Sequence, residues 1–171
     1  IEERMMLNIT VKENGNVIGE YEALNDAVIS SGYLSRIIDV TASVDGGDVI
    51  TYHADGLIAA TPTGSTAYSM SAGGPVIDPS MKCVCLTPIC SHSLAAKPIL
   101  IGADKIIKLK AFSKKRTDIY LSVDGRKVTN IKPFTEIYIT QSKNAVKLVR
   151  INDRSFYKTL SLKFRDARSS K

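Results

Sequence analysis

An all-β-dominated fold, an antiparallel β-sandwich with short helices, is predicted by three observations. Short runs alternate apolar and polar residues with period two, as half-buried strands do. Gly, Asn and Asp fall between these runs where hairpins reverse. Helical patterning is confined to a few brief segments, so sheets packed face to face are the economical way to bury the apolar positions.

The elements follow in order. Leu7, Ile9 and Val11 alternate with Asn8, Thr10 and Lys12, and Glu13-Asn14-Gly15-Asn16 then favours a tight reversal. Further strands are predicted over 37–44, 49–53, 57–60, 83–86, 106–111, 119–123, 136–140 and 146–151, with Gly15, Gly46-Gly47, Gly125 and Asn144 falling between strands as turn residues. The clearest pattern sets Ile119, Leu121 and Val123 against Tyr120, Ser122 and Asp124, and Asp124-Gly125 follows at once as a hairpin turn. Helices are predicted over 66–72, 93–96 and 155–163. In the last, Phe156, Leu160 and Lys163 share a face with Tyr157 beside it. A boundary is expected near Asn152-Asp153. It divides a sandwich domain over 1–152 from a helix and tail over 153–171, whose apolar side needs another domain or subunit to cover it.

Composition narrows the function classes. The 171 residues, 44% hydrophobic and 23% charged, can bury a substantial core, and no run of about 18 apolar residues suggests a membrane span. The chain opens Ile-Glu-Glu-Arg, without a start methionine or a leader, and is expected to be a fragment or a processed chain. Cys83, Cys85 and Cys90 cannot all pair with one another and lack a second cluster of soft ligands, so buried thiols in a reducing cytoplasm are expected. The net charge of +6 is spread along strand faces, as at Lys105, Lys108 and Lys110, apart from a local patch at Lys114-Lys115-Arg116. With no nucleic-acid motif beside it, neither nucleic acid nor membrane is expected as a partner.

The candidate site centres on Ala54 to Pro79. An apolar strand stops at Thr61-Pro62, and hydroxyl residues crowd around Gly64 and Tyr68 before Gly73-Gly74-Pro75. Thr61-Pro62-Thr63-Gly64-Ser65-Thr66 can present backbone donors at a helix start, with the Thr63, Ser65 and Thr66 hydroxyls completing a pocket. Alternatively, Ser65 or Thr66 simply caps the helix. No lysine follows Gly64, so this is not a Walker A loop. Asp55, just before the strand that delivers the loop, is expected to share the pocket or to make a local turn. Asn25-Asp26 interrupts an apolar stretch from Tyr21 to Ile29. Buried there, the two residues must pair with each other, with backbone or with a ligand, and Asp suits vicinal hydroxyls. His92 and His53 are too far apart in the sequence to define a metal site, and no G-x-S-x-G elbow occurs.

Several stretches, in order over nearly the whole chain, resemble the NAD kinase family, specifically the C-terminal domain of its bacterial type. They are Glu3-Arg4-Met5-Met6-Leu7, Ala23 to Ile29, Ala54-Asp55-Gly56-Leu57-Ile58 running into Thr61 to Tyr68, Ser71-Ala72-Gly73-Gly74-Pro75, His92-Ser93-Leu94, Leu121-Ser122-Val123-Asp124-Gly125 and Phe156-Tyr157. The resemblance implies a parent enzyme that phosphorylates the 2'-hydroxyl of the adenosine ribose of NAD to give NADP. Its donor would be ATP or polyphosphate, with a divalent cation such as magnesium. Residue by residue, it implies that Asn25 and Asp26 contact adenosine and its ribose, and that Thr63 and Thr66 lie on the adenine side. Asp55, Ala67 and Tyr68 would belong to the dinucleotide pocket, with Asp55 toward nicotinamide, and His92 would lie near a neighbouring subunit's site. A cytoplasmic homo-oligomer, dimer or tetramer, is implied as well.

The family's Gly-Gly-Asp-Gly motif belongs to an N-terminal domain and does not occur here. Gly46-Gly47-Asp48 is followed by Val49, and no catalytic residue is assigned to this chain. The resemblance thus implies that the chain is the NAD-binding and assembly part of a kinase, inactive without the N-terminal domain. The alternative is a non-catalytic dinucleotide-binding regulatory or assembly domain.

Overall fold

A computed structural model of the chain describes residues 1–32, 37–47, 49–93, 96–114, 118–151 and 155–169, and the side chains of these apart from Val49 and 166–169. Among the described residues twelve strands form two six-stranded sheets in which every pairing is antiparallel. In chain order the strands are β1 (Glu2–Glu13), β2 (Asn16–Ala23), β3 (Asp26–Ser31), β4 (Ile38–Val44), β5 (Val49–Ala54), β6 (Gly56–Ala60), β7 (Cys83–Ile89), β8 (Ile99–Gly102), β9 (Ile107–Phe112), β10 (Ile119–Val123), β11 (Arg126–Ile131) and β12 (Thr135–Leu148). The first sheet runs β2-β1-β12-β9-β4-β5 and the second β11-β10-β3-β6-β7-β8.

The sandwich follows from the alternation. Leu7, Ile9 and Val11 of β1 are fully buried and join Ile107, Leu109, Ile137 and Ile139 in one cluster with Ala27, Ile29, Leu57, Leu86 and Leu121 of the facing sheet. A second layer covers the outer side of the second sheet. There a 3-10 turn (Gly64–Thr66) and α1 (Tyr68–Ser71) lie over β6 and β7, Ile58 and Ala60 pack with Val28 and Ala72, and Ile77 packs on Cys83 and Cys85. All five residues of β6 are therefore buried, and the strand reads as a continuous apolar run.

Several expectations are corrected in detail. The predicted strands 136–140 and 146–151 are one strand, β12, which stops at Leu148. Asn144 makes no turn: the pairing of β1 with β12 shifts between Met5–Ala145 and Leu7–Gln141, and this bulge absorbs residues 142–144. The side chains of Ser142 and Asn144 both donate to the Glu22 carboxylate there. Cys83 and Cys85 are buried thiols, as expected, but Cys90 is exposed. It follows the end of β7 with a φ of 47°, where the chain leaves the sheet. The predicted helix over 66–72 is a 3-10 turn and a four-residue helix joined at Ala67. The last helix, α2 (Phe156–Ser169), runs longer than expected.

The expected boundary at Asn152-Asp153 lies outside the described residues, as do Asp48, Leu94 and the Lys115-Arg116 part of the basic patch. Lys108 and Lys110 stand on the outer face of β9, where both pair with Glu136. Among the described residues no helix is long and apolar enough to cross a membrane.

Candidate functional site

Two chain segments with β3, β4, β5 and β6 between them in the sequence meet at one end of the second sheet. Asn25 and Asp26 begin β3, and Thr61 to Tyr68 leave β6, which pairs with β3 from Asp26–Ala60 to Ser30–Gly56. Thr61 joins them: its N–H donates to the Asn25 carbonyl at 2.8 Å and its hydroxyl to the Leu24 carbonyl at 2.6 Å, while the same hydroxyl accepts the Gly64 N–H at 3.0 Å. The contact is so close that a Cβ on Gly64 would lie 2.1 Å from the Asn25 carbonyl oxygen, so glycine is demanded by proximity.

The loop is held from within. Ser65 Oγ donates to the Pro62 carbonyl and accepts the Ile77 N–H, and Thr66 Oγ1 donates to the Thr63 carbonyl, so neither hydroxyl caps α1. Behind them Ser69 and Thr87 share a hydrogen bond, and Gly74 donates to the Ser69 carbonyl. The amides of Gly64, Ser65 and Ala67 are all used inside the loop, so the expected display of free backbone donors does not arise from those three.

A cavity of about 430 Å³ opens beside this junction, lined by Asn25, Asp26, Val28 and Ser30 of the β3 segment, Ala67 and Tyr68 of the loop, and Ser122, Asp124 and Gly125 of the β10 end. That is within the usual size of a small-molecule site. Asp26 is only 5% exposed, and no described residue donates a hydrogen bond to its carboxylate. Burial, and secondarily the charge of Asp124, pushes its pKa above the usual aspartate value. The floor is thus a buried acceptor beside an amide that can donate and accept, with small hydroxyls along the wall and a half-exposed tyrosine at the rim. Such a surface can hold a polyhydroxylated ligand.

Of the residues singled out in the sequence, Asn25, Asp26, Ala67 and Tyr68 come together here. Thr63 and Thr66 belong to the same loop but do not line the cavity, and Thr63 accepts a long contact of 3.5 Å from Arg4. Asp55 is at the far end of β6, about 20 Å along the strand from Thr61. Its Oδ1 is buried with no hydrogen-bond partner among the described residues, and its N–H donates to the Ile89 carbonyl. His92 shares that far end: it is exposed, and its N–H donates to the His53 carbonyl. One chain therefore presents two separated groups of candidate residues. Among the described residues no three His, Cys, Asp or Glu side chains cluster as a cation site.

Sequence reasoning gave no role to the hydroxyl of Thr61 or to the carboxylate of Asp124. Asp124 was legible only as half of a turn; its reach to Leu24, Asn25 and Asp26 depends on β10 lying next to β3, which no local pattern reveals.

The β-sandwich with its covered second sheet has counterparts among known proteins. The chain matches the model of the ATP-NAD kinase C-terminal domain over residues 24–151 and belongs to that family. It is 39% identical over 165 residues to the NAD kinase of Geobacter sulfurreducens, covering 96% of this chain and 58% of the relative. It is 43% identical over 161 residues to that of Clostridium beijerinckii, covering 94% and 56%. The chain thus spans under three fifths of the length of these curated relatives.

Among solved structures it resembles yeast NADH kinase complexed with NADH, with a TM-score of 0.76, 32% identity, and 82% of this chain and 41% of the other covered. It also resembles an NAD kinase from Archaeoglobus fulgidus in complex with ATP, with a TM-score of 0.73, 28% identity, and 96% and 61% covered. The mostly antiparallel sandwich with short helices is the fold these structures share.

Proposed function

We propose that the chain is the NAD-binding and assembly part of an ATP-dependent NAD 2'-kinase. The observation that carries this reading is the buried Asp26 beside a half-buried Asn25, both facing a cavity of about 430 Å³, in a chain whose family includes kinases of this dinucleotide. In the proposal Asp26 accepts hydrogen bonds from vicinal ribose hydroxyls, and Asn25 supplies a donor and an acceptor to adenosine. Tyr68 and Ala67 cover the base side, with Thr63 and Thr66 shaping the loop behind them. Holding the ribose in one orientation presents its 2'-oxygen for attack on the terminal phosphorus of ATP, and such alignment is a large part of what a kinase contributes.

The donor site, the divalent cation and the catalytic aspartate are assigned to the rest of the whole protein. The described residues of this chain do not gather carboxylates or histidines suited to the cation. A homo-oligomer, dimer or tetramer, belongs to the proposal too. Asp55 and His92 lie at the opposite end of the sheet from Asp26, so a second subunit that brings its far end to the first subunit's cavity would unite both groups around one dinucleotide. A cytoplasmic setting, where NAD and ATP are available, fits the same reading.

The test is an assay of the whole protein with NAD, ATP and magnesium, with product analysed as NADP. Formation of NADP is expected; NAD binding without turnover would instead favour a regulatory or assembly role. The 171-residue chain alone is expected to turn over slowly or not at all, and near-normal turnover by the purified chain would overturn the division of labour.

A further inference from the structure

We infer that Asp124 is a positioning residue for the dinucleotide site: by receiving three consecutive backbone amides it fixes the segment from which Asn25 and Asp26 reach the cavity. This inference rests on the proposed function of that cavity. The geometry is specific. Asp124 Oδ2 accepts the Leu24 N–H at 2.8 Å, and Oδ1 accepts those of Asn25 at 2.8 Å and Asp26 at 3.1 Å. In return the Asp124 N–H donates to the Asp26 carbonyl at 3.0 Å.

From the other side Thr61 donates to the carbonyls of Leu24 and Asn25. All six backbone polar groups of Leu24, Asn25 and Asp26 are thereby satisfied, three amides by one carboxylate and three carbonyls by Thr61 and Asp124. The backbone has no remaining polar group to give a ligand, and what faces the cavity is the side chains. Charge-assisted bonds to a carboxylate are the stronger kind, so the clamp is stiff where the ligand's orientation is decided.

The chain contains its own control. Asn14-Gly15, with φ values of 49° and 83°, makes the same two-residue reversal between β1 and β2 that Asp124-Gly125, at 45° and 76°, makes between β10 and β11. Asparagine satisfies the turn in the first case, so the turn alone does not call for a carboxylate at position 124. What a carboxylate adds is a second acceptor oxygen. An asparagine there would keep the left-handed backbone and one oxygen but would turn its NH2 toward the Leu24 N–H or give up the two amides on Oδ1.

The experiment uses the whole protein with Asp124→Asn, Asp124→Ala and, as a matched turn change, Asn14→Asp. NAD affinity is measured by titration calorimetry, the KM for ATP by turnover, and the exchange of the Leu24, Asn25 and Asp26 amides by hydrogen–deuterium exchange. Asp124→Asn is expected to weaken NAD binding about tenfold or more, the scale of one lost charge-assisted hydrogen bond, with the KM for ATP unchanged and the three amides exchanging faster. Asn14→Asp is expected to leave all three readings as they were. Should Asp124→Ala fail to fold, the asparagine variant decides alone. Unchanged NAD affinity in a folded Asp124→Asn protein overturns the inference, as does a lowered melting temperature with no selective effect on NAD. If the unsubstituted protein does not bind NAD at all, the functional reading falls and takes this one with it; equal binding by wild type and Asp124→Asn sinks this one only.

Discussion

The two sheets use the same strand chemistry to different ends. In the first, β1 buries every second residue and turns the others to water, so its outer face carries ordinary exposed pairs such as Lys110 with Glu136. In the second, the segment from Thr61 to Pro79 folds back over the outer face, so β3, β6 and β7 are buried on both sides. A polar residue on the outside of the first sheet is solvated at no cost. On the outside of the second it must find a partner, as Thr87 does in Ser69, or serve a ligand, as is proposed for Asp26. The proposed functional surface lies where a sheet face that could have met water is covered instead.

The comparison is broken most forcefully in the shared core. Ile9 is fully buried in the first sheet, and Ile9→Ala is expected to cost about 2–5 kcal/mol of unfolding free energy. Because its contacts are on the side away from the cavity, NAD affinity of the fraction that remains folded should be unchanged. Chemical denaturation and calorimetry on the same sample check both halves, and a selective loss of NAD binding would mean that the sheets are coupled more tightly than their separate faces imply.

Next in size is Gly64→Ala, which places a methyl group against the Asn25 carbonyl, a backbone atom that cannot rotate away. An expected loss of about 3 kcal/mol sits at the upper end for overpacking, accompanied by impaired NAD binding because the same shift moves Asn25. Gly15→Ala is the companion: it has open space around it but a φ of 83°, so a cost of about 1 kcal/mol and no effect on NAD are expected. Equal effects from the two substitutions, by thermal melting and NAD titration, would remove the distinction between a crowded junction and an ordinary turn.

The sandwich was legible because period-two alternation is a local signal. Ile119 to Val123 and Leu7 to Val11 declare their buried sides within five residues, and Asn14-Gly15 and Asp124-Gly125 declare the turns. The outcome was less clear where two signals competed. Asn144 has turn chemistry but sits in a bulge, because the long pairing of β1 with β12 continues past it. Neither β3 nor β8 was predicted as a strand: β3 is buried on both faces and shows no alternation, and four residues at a sheet edge give alternation too little length to register. At the site, Asn25-Asp26 stood out because two polar residues interrupt an apolar stretch. The carboxylate of Asp124 did not, because its partners are about a hundred positions away and depend on which strands are neighbours.

Third in expected size is the ligand effect of Asp26→Asn. The substitution keeps shape and volume but replaces a charged acceptor, and a loss of about 1.5–3 kcal/mol in NAD binding is expected if ribose hydroxyls donate to it. Titration calorimetry on the folded whole protein measures this. An affinity within error of the unsubstituted protein would return Asp26 to a purely structural role and leave the covered face of the second sheet without its function.

The smallest expected effect concerns the same residue without ligand. Burial, and then the neighbouring Asp124 charge, raises the Asp26 pKa above its usual 3.8. A carboxyl whose pKa is raised by folding favours the folded chain while protonated. Its contribution is present in full below pH 3.8 and is lost as pH climbs through the raised value in the folded state. Near neutrality the ionised group therefore opposes folding, and Asp26→Asn is expected to stabilise the unliganded chain by something on the order of 0.5–2 kcal/mol, the common scale for relieving a single unfavourable feature. A carboxylate of the first sheet slopes the other way. Glu136, held low by its hydrogen bonds to Lys110 and Tyr138, contributes stability above the usual glutamate range that is lost as pH falls. Melting temperatures of wild type and Asp26→Asn followed from pH 4 to pH 8 should accordingly diverge as pH rises, with the variant higher. Parallel curves, or a variant less stable at every pH, would show that the covered face accommodates the Asp26 charge as easily as water does.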